Sequence, residues 1–66
     1  MEDELLEAHY EEGAHRYGKR WDKTNIGWSS DTHSITSKVY GKRCIIFTTV
    51  LDKNGRPVHS EENYRR

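Results

Sequence analysis

Sixty-six residues confine this protein to one small domain, because a chain of about this length hides only about 60% of the surface its unfolded form exposes. Hydrophobic residues make up 32% and charged residues 33%, a balance that leans towards disorder, yet two Trp, four Tyr and one Phe supply bulk for a core. Eleven Lys and Arg cancel eleven Asp and Glu, which excludes long-range attraction of the whole molecule to nucleic acid or an anionic membrane.

The first predicted element is a helix over about residues 3–18, within MEDELLEAHYEEGAHRYGKRW. Leu6, Tyr10, Ala14 and Tyr17 recur at helical spacing and form its expected buried stripe, flanked by Leu5, His9 and Gly13. Residues 1–12 carry six acidic groups and no Lys or Arg, so the first twelve sum to −6 and the remainder to +6. Acids at the start and Arg16, Lys19 and Arg20 at the end suit the helix dipole. Gly18 is the expected stop, and Gly13 reads as a tolerated interior glycine. The start lacks the basic, apolar and small-residue regions of a signal peptide, and no apolar run approaches a membrane span. The expectation is a soluble, cytoplasmic protein with no membrane partner.

Residues 19–33 then read as an aromatic loop, because WDKTNIGWSSD loses periodicity and gathers Asn25, Gly27, Ser29, Ser30 and Asp31. Trp21 and Trp28 are too large and apolar to be of use in a polar loop. They are expected to fold back onto the core, with a partner interface as the other possibility.

A three-stranded antiparallel meander is predicted over about residues 34–60, from the β-branched residues of HSITSKVYGKRCIIFTTVLDKNGRPVHS. A two-residue turn at Gly41-Lys42 would set Val39 opposite Cys44, Ser37 opposite Ile46 and Ile35 opposite Thr48. Asn54-Gly55 marks the second turn, either as a tight turn pairing Leu51 with Val58 or as a type I turn with a bulge. Pro57 belongs on an edge strand, and residues 61–66 read as a frayed tail. The single cysteine, Cys44, excludes an intrachain disulfide and reads as a buried small hydrophobe. The fold class is therefore α+β: an N-terminal helix packed on a three-stranded meander, in one small domain over 1–66.

Alternation in RCIIFTTVL puts Cys44, Ile46 and Val50 on one sheet face and Ile45, Phe47 and Leu51 on the other. One helix covers one face, so the second is expected to be covered by the Trp21 to Asp31 loop, by the C-terminal tail with Tyr64, by a second copy of the chain or by a protein partner, and a partner or second copy is the preferred reading. The candidate partner-binding residues are Ile35, Val39, Ile46 and Val50, with Cys44 among them, together with Trp21 and Trp28.

No chemical motif competes with that reading. Four histidines, His9, His15, His33 and His59, show no metal-ligand spacing, and solvated or partner-facing positions are expected for them. The run SSDTHS holds Ser, Asp and His without a nucleophile elbow, and reads as a turn. The five glycines are dispersed, so no phosphate loop is present. The expectation is a protein that is not an enzyme and needs no cofactor, metal or small-molecule substrate. The hairpin GKRCIIFTTVLDKNGRPV resembles the C-terminal hairpin of small phage Cro-type repressors over less than a third of the chain. Upstream there is no helix-turn-helix, and no DNA-binding residue is carried over.

The expected function is that of a small regulator or inhibitor acting by protein-protein contact, of a size suited to a phage or mobile element. The alternative is a nucleic-acid-binding regulator. Between Arg16 and Arg43 stand seven basic residues, Arg16, Lys19, Arg20, Lys23, Lys38, Lys42 and Arg43, against Asp22 and Asp31, with Tyr17, Trp21, Trp28 and Tyr40 interleaved.

Overall fold

The computed structural model describes residues 2–64. Helix α1 (Glu2–Tyr17) ends where Gly18 takes the left-handed conformation, φ 58°, which a glycine adopts without the steric penalty of a Cβ. A short 3-10 turn (Gly18–Arg20) leads into four strands, β1 (Trp21–Ser29), β2 (Ser34–Val39), β3 (Cys44–Leu51) and β4 (Pro57–Tyr64). They form one antiparallel sheet in the order β1-β2-β3-β4. The α+β class is as expected; the sheet has one strand more.

That extra strand is the segment expected as an aromatic loop. Trp21 pairs with Val39, and Ile26 to Ser29 pair with Ser37 to Ser34. Between the two paired stretches four residues of β1 stand where β2 has only Lys38. The excess closes on itself: Asp22 Oδ1 accepts from the Thr24 N–H at 2.9 Å and from its hydroxyl at 2.6 Å. Loop chemistry thus serves a bulge inside an edge strand, where such interruptions are tolerated.

The first hairpin register differs from the expected one by a single residue. The connection runs from Tyr40 to Arg43, so Val39 pairs with Ile45, Ser37 with Phe47 and Ile35 with Thr49. A one-residue slip reverses the face of every side chain. Ile35 and Val39 therefore join Phe47 on the helix side, 2% and 1% exposed, rather than Ile46 and Val50 on the other.

The second hairpin takes the bulged form of the two expected. Gly55, at φ 81°, donates its N–H to the Asp52 carbonyl at 3.0 Å, and the Asp52 N–H donates to the Arg56 carbonyl at 2.8 Å. Leu51 then pairs with Pro57, which opens the edge strand β4 as expected. Residues 61–64 are not a tail: Glu61 to Tyr64 pair with Phe47 to Cys44. The rest of the expected tail lies outside the described residues.

The helix also turns a different side inward. Leu5, His9, Gly13 and Tyr17 are buried, whereas Tyr10 and Ala14 of the expected stripe are exposed and Leu6 is half-buried. Two non-local fits decide this. Gly13 is where the Trp21 ring meets the helix, so closely that a Cβ there would lie 2.4 Å from its Cε2 atom. His9 finds hydroxyl partners in the sheet. The core is Tyr17, Trp21, Val39 and Phe47, with Ile45 packed against it and Leu5 and Ile35 also sealed. Among the described residues, no helix is long and apolar enough to cross a membrane.

Candidate partner-binding surface

Strand alternation and the register together define the face that α1 leaves open. Thr36 and Lys38 of β2, Cys44, Ile46, Thr48 and Val50 of β3, and Val58, Ser60 and Glu62 of β4 belong to it. Ile46 and Val50 are half-buried by their neighbours, and Val58 is 46% exposed. Cys44, expected as a buried thiol, is half-buried on this same face. The apolar side chains lie along β3 and cross to β4 at the Val50–Val58 pair.

Beside Ile46 the face sinks into a hollow of about 220 Å³, bordered by Asn25, Ile26, Gly27, Thr36, Ser37, Lys38 and Ile46. Gly27 leaves its border free of a side chain; a Cβ there would sit in ordinary contact with Thr36 Oγ1, at 3.5 Å. The hollow thus has an apolar wall in Ile46, one cation in Lys38 and hydroxyl and amide groups in Thr36 and Asn25.

The candidate residues named from sequence divide. Ile46 and Val50 lie on the open face. Ile35 and Val39 are sealed beneath the helix, and Trp21 is in the core. Trp28 is 42% exposed and stacks on His33, with ring centres 6.5 Å apart. Its expected burial fails because its partner in the ladder, Ile35, already fills the helix side, and β1 lies at the sheet margin. Val58 and Gly27 were missed. Alternation in β4 gives the signal for Val58, but nothing local separates Gly27 from an ordinary loop glycine.

The basic residues divide likewise. Arg16 is engaged: its Nε donates to Glu12 Oε1 at 2.6 Å, its Nη1 meets Glu61, and its guanidinium lies over the Phe47 ring. Hydrogen bonding to Arg16 holds the Glu12 carboxyl below its usual range. Lys19 and Arg20 lie on the 3-10 turn, Lys23 in the β1 bulge, Lys38 on the open face, and Lys42 and Arg43 in the β2–β3 connection.

A polar network under the helix was not expected from sequence. His9 Nδ1 lies 2.9 Å from Thr49 Oγ1, and Nε2 lies 2.9 Å from Ser37 Oγ, which also accepts from Trp21 Nε1–H at 2.7 Å. His9 is sealed from solvent and stacks on Phe47 with ring centres 4.8 Å apart. Burial, with a smaller contribution from His59, pushes its pKa down to about 4. It is therefore neutral at pH 7, one ring nitrogen donating and the other accepting a hydroxyl proton. Such a serine-histidine pair resembles catalytic chemistry in composition, but Ser37 and Thr49 are as closed to solvent as His9. Its work is to fix helix against sheet. Among the described residues no group of three His, Cys, Asp or Glu is placed to hold a metal ion.

The chain matches no protein-family model, no curated protein and no solved structure.

Proposed function

We propose that this chain is a small binding protein, a regulator or inhibitor that docks the open sheet face onto another protein. The observation that carries the reading is the apolar run Ile46, Val50 and Val58 on a face without a helix, next to the hollow at Gly27. The row is interrupted by Thr48 and bordered by Lys38, Ser60 and Glu62, a mixed apolar and polar make-up of the kind found at interfaces that form and separate. The hollow specifies its occupant. An engineered cavity of about 150 Å³ takes up benzene, so about 220 Å³ accommodates one aromatic side chain. Lys38 at its border favours an acidic residue next to that ring. The partner is thus a protein presenting an aromatic anchor beside a carboxylate, the kind of residue that dominates binding energy at interfaces.

A displayed random-peptide library panned against the immobilised chain tests this. Recovered peptides are expected to share an aromatic residue flanked by Asp or Glu. They should lose binding to both Gly27→Val, which adds a side chain at the border of the hollow, and Ile46→Glu, while Glu11→Gln on the exposed side of the helix changes nothing. Peptides indifferent to both substitutions, or no enrichment, would overturn the reading. Circular dichroism melts of each variant establish that the fold is retained.

A further inference from the structure

A second concavity lies at the other extreme of the charge distribution. The 3-10 turn after α1 and the β2–β3 connection come together where the Tyr40 N–H donates to the Arg20 carbonyl at 3.2 Å. Around that junction Arg20, Gly41, Lys42, Arg43, Ile45 and Asn63 line an open depression of about 550 Å³, within the usual size of small-ligand sites. Three of the six residues are cations and none is acidic.

Two observations separate this cluster from an ordinary solvated basic surface. First, Arg16, one turn earlier, is held by Glu12 and Glu61, whereas Arg20, Lys42 and Arg43 have no carboxylate partner among the described residues. Second, the negative end of the helix dipole accounts for Lys19 and Arg20, which follow α1 directly. It does not account for Lys42 and Arg43, which belong to a turn between strands. Three cationic side chains are therefore brought to one concavity by two elements distant in sequence, with no acidic residue in its lining to balance them.

We infer that this depression binds a phosphate group. Guanidinium groups present paired N–H donors matched to phosphate oxygens, and the lysine adds a mobile point charge. The Asn63 amide supplies a neutral donor, while Ile45, packed against the core, gives an apolar wall where water competes less well. The compactness of the site favours a terminal or free phosphate, as on a nucleotide or at the end of a nucleic-acid strand. The interior of a strand would need a longer basic track than these three residues make.

Binding is measured by backbone amide shifts and calorimetry at low salt, with pyrophosphate, ADP and a short single-stranded oligonucleotide with and without a 5′-phosphate. Pyrophosphate and ADP are expected to bind, shifting Gly41 to Ile45, and to lose about tenfold or more in affinity in Lys42→Ala and in Arg43→Ala. Lys53→Ala, in the opposite hairpin, should leave affinity unchanged. Preference for the 5′-phosphorylated oligonucleotide identifies a strand end as a source of the phosphate; tighter binding of ADP identifies a free nucleotide. Failure of pyrophosphate and ADP to bind at millimolar concentration, binding insensitive to both substitutions, or oligonucleotide binding that ignores the 5′-phosphate would each overturn the inference. Melting curves of the variants, expected to match the wild type, keep loss of affinity distinct from loss of fold.

Discussion

Two residues of α1, Gly13 and His9, set how the helix meets the sheet. Alanine is worth about 1 kcal/mol more than glycine inside a helix, so propensity alone favours Gly13→Ala. Contact opposes it, because the new Cβ would stand 2.4 Å from the Trp21 ring, and that ring is tethered through Nε1 to Ser37. Overpacking of this kind costs about 1–3 kcal/mol, so Gly13→Ala is expected to lower the denaturant midpoint rather than raise it. His9 makes stability depend on pH. Its folded pKa of about 4 lies below the ordinary 6.5, so between these values the unfolded chain binds more protons. The stabilisation is complete above pH 6.5 and is lost as pH falls towards 4, by about 3 kcal/mol in all. His59 faces the same Phe47 ring and lies 3.8 Å from Glu12, so its replacement serves as the control. Melting temperatures measured from pH 7 to pH 4.5 should fall for the wild type and for His59→Gln. They should stay nearly flat for His9→Gln.

Among the elements, the edge strands depart most from local expectation. β4 looks like a tail after Ser60 because SEENY is polar and lacks alternation with an apolar face. An edge strand needs little of either, since charged and proline residues there discourage pairing with other chains. Its stability comes from the ladder to β3 and from Glu61, which meets Arg16 of α1. A chain ending at Ser60 loses the four residue pairs from Glu61–Phe47 to Tyr64–Cys44, a cost of a few kcal/mol at about 1 kcal/mol for each ladder hydrogen bond. In a domain of this size that lowers the melting temperature by roughly 10 °C or more. An unchanged melt would mean that residues 61–64 are not part of the sheet. β1 obeys the same logic: Gly27 is a poor strand former, yet its pairing with Thr36 of β2 holds it.

Across the whole molecule, charge and hydrophobicity are arranged separately. His9 bonds Thr49 and Tyr17 packs on Phe47, so α1 runs opposite to β3. Its acidic start therefore lies towards the Asp52–Arg56 hairpin, and its basic end towards the Tyr40–Arg43 connection. The apolar face spans the sheet between these two poles, on the side away from α1. The proposed docking and the proposed anion binding would thus use different surfaces, and each would be open to loss without the other. Cys44 reports on the first. Half-buried on the open face, it should react with a thiol reagent in the free chain within minutes. A peptide selected for the Gly27 hollow should slow that labelling severalfold.

Several features are local and were legible in sequence: the helix and its stop at Gly18, a turn at Asn54-Gly55, Pro57 on an edge, and the two faces of β3. Each depends on backbone conformation or on the period of one strand, which neighbouring residues impose. The inward side of α1, the register of the first hairpin, the strand character of β1 and the extent of β4 were decided only in the tertiary structure. Leu6 and Tyr10 are more apolar than His9 and Gly13, and a period alone selects them. His9 wins because Ser37 and Thr49 satisfy its ring, and Gly13 because Trp21 needs the space. The register follows from burying Ile35 and Val39 with Phe47, a choice made by the sheet and helix together. Of the two candidate sites, the apolar row on β3 belongs to the local class. The hollow at Gly27 and the depression between Arg20 and Arg43 belong to the other, because each joins segments whose proximity only the assembled sheet creates.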